Sequence, residues 1–295
     1  MPTKHASPVS FVFFFYCLCS LIIIFMQIIH ISDTHFGNVS PAFDLAELKR
    51  AFHELEDDCK LEDTYLVVSG DITFKGKLAG YKQAEEFLLN TWIKFGGSRK
   101  RFLACPGNHD LCNNGFNQFD TFMYGIRRDH NTDFSNDSCR LLNFDNVAFL
   151  LVNSAHHLDH KYGLIDCDVL NKTLNKNKGN LVNAQHKVVI VHHHVIGVDK
   201  TDTSTIRNAS SFLAILDEYK FGLLLHGHQH SQNSLTIGKE QMKIFSGRSL
   251  NFQTSGYVNG LSKISYVEDD WKRLQKFLSR DNCPRHGLSF NSVDN

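Results

Sequence analysis

Apolar residues in this chain come in short runs that stop abruptly at polar clusters. Residues 27–32 (QIIHIS), 64–70 (TYLVVSG) and 101–107 (RFLACPG) each read as a buried strand. Between them, Leu45, Leu48, Phe52 and Leu55 recur at helical spacing after Ser40-Pro41. Tyr81, Ala84, Leu88 and Trp92 do the same before Gly96-Gly97. This alternation predicts βαβαβ, the rhythm of a layered α/β domain. Residues 111–140, rich in Asn, Asp, Phe and Gly, predict a long loop with a helix around 117–127. Residues 146–154, 187–194 and 221–227 predict further strands, with a helix marked by Phe212, Ile215, Leu216 and Tyr219 between the last two. Residues 242–247 and 260–267 read as late strands of a second sheet, and 281–295 as a loose polar tail. With no internal repeat and no low-complexity linker, residues 26–280 are expected to form one domain.

Charge changes this picture little. Basic and acidic residues number 31 each, which gives no electrostatic argument for a nucleic-acid or acidic-membrane partner. Histidine is the outlier at 17 residues, and imidazole is a common transition-metal ligand. The eight cysteines form no C-x-x-C pair and are expected to be free thiols of a reducing compartment. Residues 1–25 form a hydrophobic extension whose segment 9–25 is predominantly apolar. It reads as a membrane anchor, a signal-peptide core, or an extension upstream of a start at Met26. A helix over 9–25 would rise about 25 Å, short of a hydrocarbon core of about 30 Å. No linker separates it from the first strand. The expectation is a cytoplasmic protein whose domain begins near Met26, with anchoring through residues 9–25 as the alternative.

Chemistry gathers where the strands end. The first is followed by Asp33-Thr34-His35, the second by Gly70-Asp71, the third by Gly107-Asn108-His109-Asp110. The strand at 187–194 ends in His192-His193-His194, and the strand at 221–227 runs into His226, His228 and His230. Singly, such residues are ordinary loop chemistry. Five strand ends of this kind in one chain predict a site, because open α/β sheets bind ligands beyond the carboxyl ends of their strands. His157 and His160 in the loop after residue 154, and Arg248, are further candidate contacts to substrate phosphate.

These motifs, in this order over residues 26 to 268, resemble those of the calcineurin-like metallophosphoesterases. The family pattern is D-x-H, G-D, G-N-H-[DE], a lone His after a strand, then G-H-x-H. The resemblance implies an α/β fold of two packed mixed β-sheets flanked by helices. It implies a dinuclear centre: Asp33, His35 and His230 on one ion, Asn108, His192 and His228 on the other, and Asp71 bridging. Mixed N/O donors suit Mn, Fe or Zn. A hydroxide shared between the ions would attack phosphorus, with His109 as leaving-group acid and Asp110 orienting it. The triplet lacks the proline that often follows two histidines in the family, so His193 stays an alternative to His192. His226 lies outside the family pattern and is expected to be a hydrogen-bonded strand-end residue. "GDITFKGKLAGYKQAEEFL" and "GRSLNFQTSGYVNGLSKISYV" are most similar to the branch that includes cyclic-nucleotide phosphodiesterases. The expected substrate is a small phosphate ester or nucleotide, with nucleic acid less favoured. A phosphomonoesterase, a nucleotide pyrophosphatase, a nuclease or a non-catalytic scaffold on the same fold are the alternatives.

Overall fold

The computed structural model describes residues 26–280 and 288–293, apart from 56–58, 198–199, 231–232, 254–255 and 257. The apolar run 9–25 lies outside the described residues. Among the described residues no helix is long and apolar enough to cross a membrane.

The first half of the chain alternates β1 (Gln27–Ile31), α1 (Leu45–His53), β2 (Thr64–Ser69), α2 (Leu78–Leu88), β3 (Phe102–Cys105) and α3 (Asn117–Arg127). The second half continues with β4 (Cys139–Phe144), β5 (Val147–Val152), α4 (Cys167–Lys176), α5 (Lys178–Asn183), β6 (His186–Val191), α6 (Ala209–Glu218) and β7 (Leu223–His226). It closes with β8 (Ser234–Ile237), β9 (Met242–Ser246), β10 (Gly260–Val267), β11 (Asp270–Arg280) and β12 (Leu288–Val293). One sheet has the order β12-β11-β10-β1-β2-β3 and the other β4-β5-β6-β7-β9-β8. Strands β1, β2 and β3 are parallel, as are β5, β6, β7 and β9.

The layering follows from strand periodicity. Successive side chains on a strand point to opposite faces. On β5, Phe149 and Leu151 join the core shared with the first sheet, while Ala148, Leu150 and Val152 join a second core. That second core is completed by Leu170 and Leu174 of α4, Leu181 of α5, and Phe212 and Leu216 of α6. Both faces of the central strands are therefore covered, which is why β2 and β5 are buried along their whole length. Helix α1 begins at a capping box in which Asp44 accepts from the Glu47 N–H. The first helical residue, Leu45, lies four residues beyond Pro41 of the Ser40-Pro41 signal. Its buried stripe is Leu48, Ala51 and Phe52.

Two expectations change. Residues 242–247 do extend the second sheet, as β9, but β10 joins the first sheet, antiparallel to β1 with Gln27 opposite Ser265. Period-two patterning marks a strand without naming its partner, and β1 has an open edge that β10 closes. The segment read as a polar tail contributes β12, which pairs antiparallel with β11 from Gln275–Val293 to Arg280–Leu288. Among the described residues Cys59, Cys105, Cys112, Cys139 and Cys167 are free thiols.

Candidate dinuclear metal centre

The carboxyl ends of five strands converge on one cluster. Asp33, His35 and His230 each bring a ligand atom within 4.8 Å of the others, and Asp71, His192 and His228 form a second group of the same kind. Asp33 Oδ1 lies 3.2 Å from His230 Nε2 and 3.9 Å from His35 Nε2. His192 Nε2 lies 3.3 Å from Asp71 Oδ2, 3.1 Å from His228 Nδ1 and 3.0 Å from Asn108 Oδ1. Asp71 Oδ2 also stands 3.7 Å from His35 Nε2, so a single carboxylate oxygen faces both groups.

The backbone is bent to achieve this. Asp33, His35, Asp71, His228 and His230 all have positive φ, between 44° and 73°. Such a conformation costs a non-glycine residue on the order of 1 kcal/mol or more and concentrates at functional sites. Gly107 has a different reason to be glycine. A Cβ there would collide with the Asp71 carboxylate, which the His109 N–H holds through Oδ1 at 2.8 Å.

Neighbouring contacts fix which atom each side chain offers. His192 Nδ1 faces the Ser69 carbonyl at 2.9 Å. A carbonyl only accepts, so Nδ1 carries the proton and Nε2 is directed into the cluster. Asn108 donates from Nδ2 to the His160 carbonyl at 3.2 Å, which turns Oδ1 toward His192. Gln229, between the two histidines of its loop, donates from Nε2 to Asp202 Oδ2 at 2.6 Å, and Asp202 also lies 2.7 Å from His194 Nε2. His194 in turn stacks on His228, tying that loop to β6.

The electrostatics are those of donors pressed together. Burial pushes His35 down to about 4 and His228 down to about 3, leaving both neutral. Burial also opposes charge on His192, but Asp71 outweighs it and lifts His192 to about 9. In the same way Asp33 overcomes burial and raises His230. Burial would raise Asp33 and Asp71, yet His230 and His192 hold Asp33 low, and His192, His109 and His35 hold Asp71 low. Both ring nitrogens of His35 are buried with no hydrogen-bond partner, and the buried Asp33 Oδ1 has the His230 imidazole beside it. A buried polar atom left without a partner costs about 1–3 kcal/mol. A cation satisfies the His35 ring and the facing carboxylate together, so the donor set fits metal.

Not every expected contact is present. Asp110 is fully buried, and its carboxylate accepts from the N–H groups of Ile72, Thr73 and Gly107 and from Tyr81 Oη, at 3.0 to 3.1 Å. These donors use the carboxylate to staple the loop after β2 to the loop after β3. The contacts of the Asp110 carboxylate thus lie with the backbone of these loops and with Tyr81. The His109 ring instead stacks on Phe74 at 5.7 Å and meets His35 edge-on at 5.0 Å. His193 turns Nδ1 to Ser154 Oγ at 2.8 Å, while His192 enters the cluster. His226 is buried with Nδ1 3.1 Å from the Gly227 carbonyl.

The candidate phosphate contacts are also redistributed. His160 donates from Nδ1 to the Asn108 carbonyl at 2.9 Å and so braces a candidate ligand. His157 packs on Tyr162, whose other neighbour is the Arg207 guanidinium. Arg248 lies over Phe277 and donates to Gln275 Oε1 and the Val258 carbonyl. Phe74 and Phe252 were not anticipated, although both flank His35, at 6.2 and 4.6 Å between ring centroids.

Residues 26–232 match the family model described as calcineurin-like phosphoesterase. The chain belongs to that family. The calcineurin-like phosphoesterase match extends from β1 through both histidines of the G-H-x-H loop. A relative in Ruthia magnifica subsp. Calyptogena magnifica, named "Probable cyclic nucleotide phosphodiesterase", is 26% identical over 208 residues, covering 68% of this chain and 77% of its own. A protein of the same name in Vesicomyosocius okutanii subsp. Calyptogena okutanii (strain HA) is 26% identical over 168 residues, 56% of this chain and 61% of its own. The fold is shared with a dimetal phosphatase from Danio rerio, at TM-score 0.60 and 10% identity, over 91% of this chain and 98% of that one.

Proposed function

We propose that this calcineurin-like phosphoesterase is a dinuclear-metal hydrolase of phosphodiesters in small, nucleotide-like molecules. The carrying observation is the Asp71 carboxylate, one oxygen of which faces His35 on one side and His192 on the other. In this reading Asp33, His35 and His230 hold one ion, Asn108, His192 and His228 the second, and Asp71 both. Manganese, iron or zinc suits this mixture of imidazole, carboxylate and amide donors. Bound there, the pair supplies Lewis acidity toward the phosphoryl group and lowers the pKa of an attacking water.

The protein's own side chains do the rest. His109 stands at the cluster edge, clamped between Phe74 and His35, and delivers a proton to the departing ester oxygen. Its backbone N–H takes up Asp71 Oδ1, which leaves Oδ2 facing His35 and His192, where it would serve both ions. Phe74 and Phe252 border the same His35 ring and give the site an aromatic rim against which a nucleoside portion of a substrate can rest. The names of the two relatives support a cyclic-nucleotide-like diester. The balanced charge of the chain does not favour a polynucleotide.

The test is a substrate panel on metal-reconstituted protein: phosphomonoesters, cyclic nucleotides, dinucleotides and single-stranded DNA. The proposal expects cyclic nucleotides or dinucleotides to be preferred. Preference for monoesters or DNA would reassign the substrate, and inertness toward all four would favour the scaffold reading.

A further inference from the structure

A line of buried hydroxyls runs from the candidate ligand Asp33 back into the strands. Ser32 Oγ donates to Asp33 Oδ2 at 2.5 Å. Ser69 Oγ donates to Ser32 Oγ at 2.9 Å, and His30 Nε2 lies 2.8 Å from Ser69 Oγ. All four residues are fully buried. His30 and Ser32 share one face of β1 and its extension, and the parallel register with β2 brings Ser69 beside them. Room for the line depends on two glycines. A Cβ at Gly227 would collide with Ser32 Oγ, and a Cβ at Gly247 would stand 2.9 Å from Ser32 Cβ and 3.0 Å from His30 Cε1.

The direction of every proton in this line follows from its ends. A carboxylate only accepts, so Ser32 must donate to Asp33, and Ser69 is then free to donate to Ser32. Ser69 Oγ is left to accept, which requires the N–H of His30 on Nε2. The opposite tautomer would bury an N–H at Nδ1, where the ring has no partner. An orphaned buried donor costs about 1–3 kcal/mol, which is enough to select the Nε2–H form. Asp33 Oδ2 then receives two donors from behind, Ser32 Oγ and the His228 N–H at 3.1 Å, while Oδ1 is left facing the cluster, 3.2 Å from His230 Nε2.

We propose that His30, acting through Ser69 and Ser32, is a positioning residue that reserves Asp33 Oδ1 for the ion held with His35 and His230. The inference rests on the dinuclear reading above. Hydrogen-bond partners behind metal ligands change affinity by about 10- to 100-fold when removed. His30 lies three bonds back in the line, so the low end applies.

The experiment is Mn²⁺ titration of the full chain at fixed pH, followed by calorimetry, with His30→Leu, His30→Gln and Ser69→Ala. Leucine removes the donor, whereas the glutamine amide can replace it. His30→Leu and Ser69→Ala should each weaken one of the two ions about tenfold and leave the other nearly unchanged. His30→Gln should recover most of the loss, which a purely space-filling role would not produce. Should the leucine variant fail to fold, Ser69→Ala decides the matter, since it deletes one hydroxyl and spares the Ser69 carbonyl that serves His192. Unchanged binding of both ions in Ser69→Ala would overturn the proposal, as would equal weakening of both. Failure of the unmutated protein to bind two ions would instead overturn the dinuclear reading.

Discussion

Asp71 Oδ2 lies 3.3 Å from His192 Nε2, and both side chains are buried. Asp71 follows β2 of the first sheet and His192 follows β6 of the second, so the contact joins the two halves of the sandwich at the candidate metal centre. Asp71→Asn should therefore remove negative charge from both ion positions. We expect metal content to fall below two ions per chain together with turnover. Two full ions with normal turnover would rule out the bridging role.

His109 acts on the leaving group in this account. His109→Ala should retain metal and slow an alkyl phosphodiester by about 10²- to 10⁴-fold. A p-nitrophenyl diester, whose leaving group needs little protonation, should suffer much less. Equal losses on the two substrates would move His109 to another role.

Asp110 separates bracing from proton relay. Asp110→Asn weakens the acceptor of several buried donors and should cost about 2 kcal/mol, lowering Tm by a few degrees. Both classes of diester should slow alike. A selective loss on the alkyl substrate would restore Asp110 as partner of the His109 ring.

His192 and His193 differ by one residue and point apart. His192→Ala should lose one ion, whereas His193→Ala should keep both and lose the buried contact to Ser154. The reverse result would shift the ligand along the strand end.

Metal uptake should carry a proton signature. In the ion-free protein Asp71 lifts His192 to about 9 against the effect of burial, and Asp33 raises His230. Near neutral pH these imidazoles hold protons that an incoming ion must displace. Metal affinity should therefore rise with pH and level off above about 9, by about tenfold per pH unit for each proton released. Titrations in buffers of different ionisation enthalpy measure the protons released, and an affinity flat with pH would contradict the pairing.

The candidate ligands were legible because they follow apolar runs in a fixed order, and strand ends of an open α/β sheet converge. What the chain does not write locally is the partner of each side chain. Asp110 sits beside His109 in sequence, but the N–H groups of Ile72 and Thr73 claim its carboxylate from another loop. Arg248 is close to the G-H-x-H loop in sequence, yet its long side chain finds Gln275 and Phe277. The same limit hid the pairing of β10 with β1, since alternation shows a strand but not its neighbour. The line behind Asp33 did leave a trace. His30 and Ser32 are alternate polar residues where the apolar run of β1 ends, which puts both on one buried face.

The central claim is that two ions held by these residues carry out the chemistry. Its most direct measurement is hydrolysis of bis-p-nitrophenyl phosphate by chelator-stripped protein as Mn²⁺ is added back stoichiometrically. The account predicts no turnover in the stripped protein, a rise that saturates at two equivalents per chain, and loss again on chelation. Full turnover in the stripped protein, or saturation with two bound ions and no turnover, would contradict it.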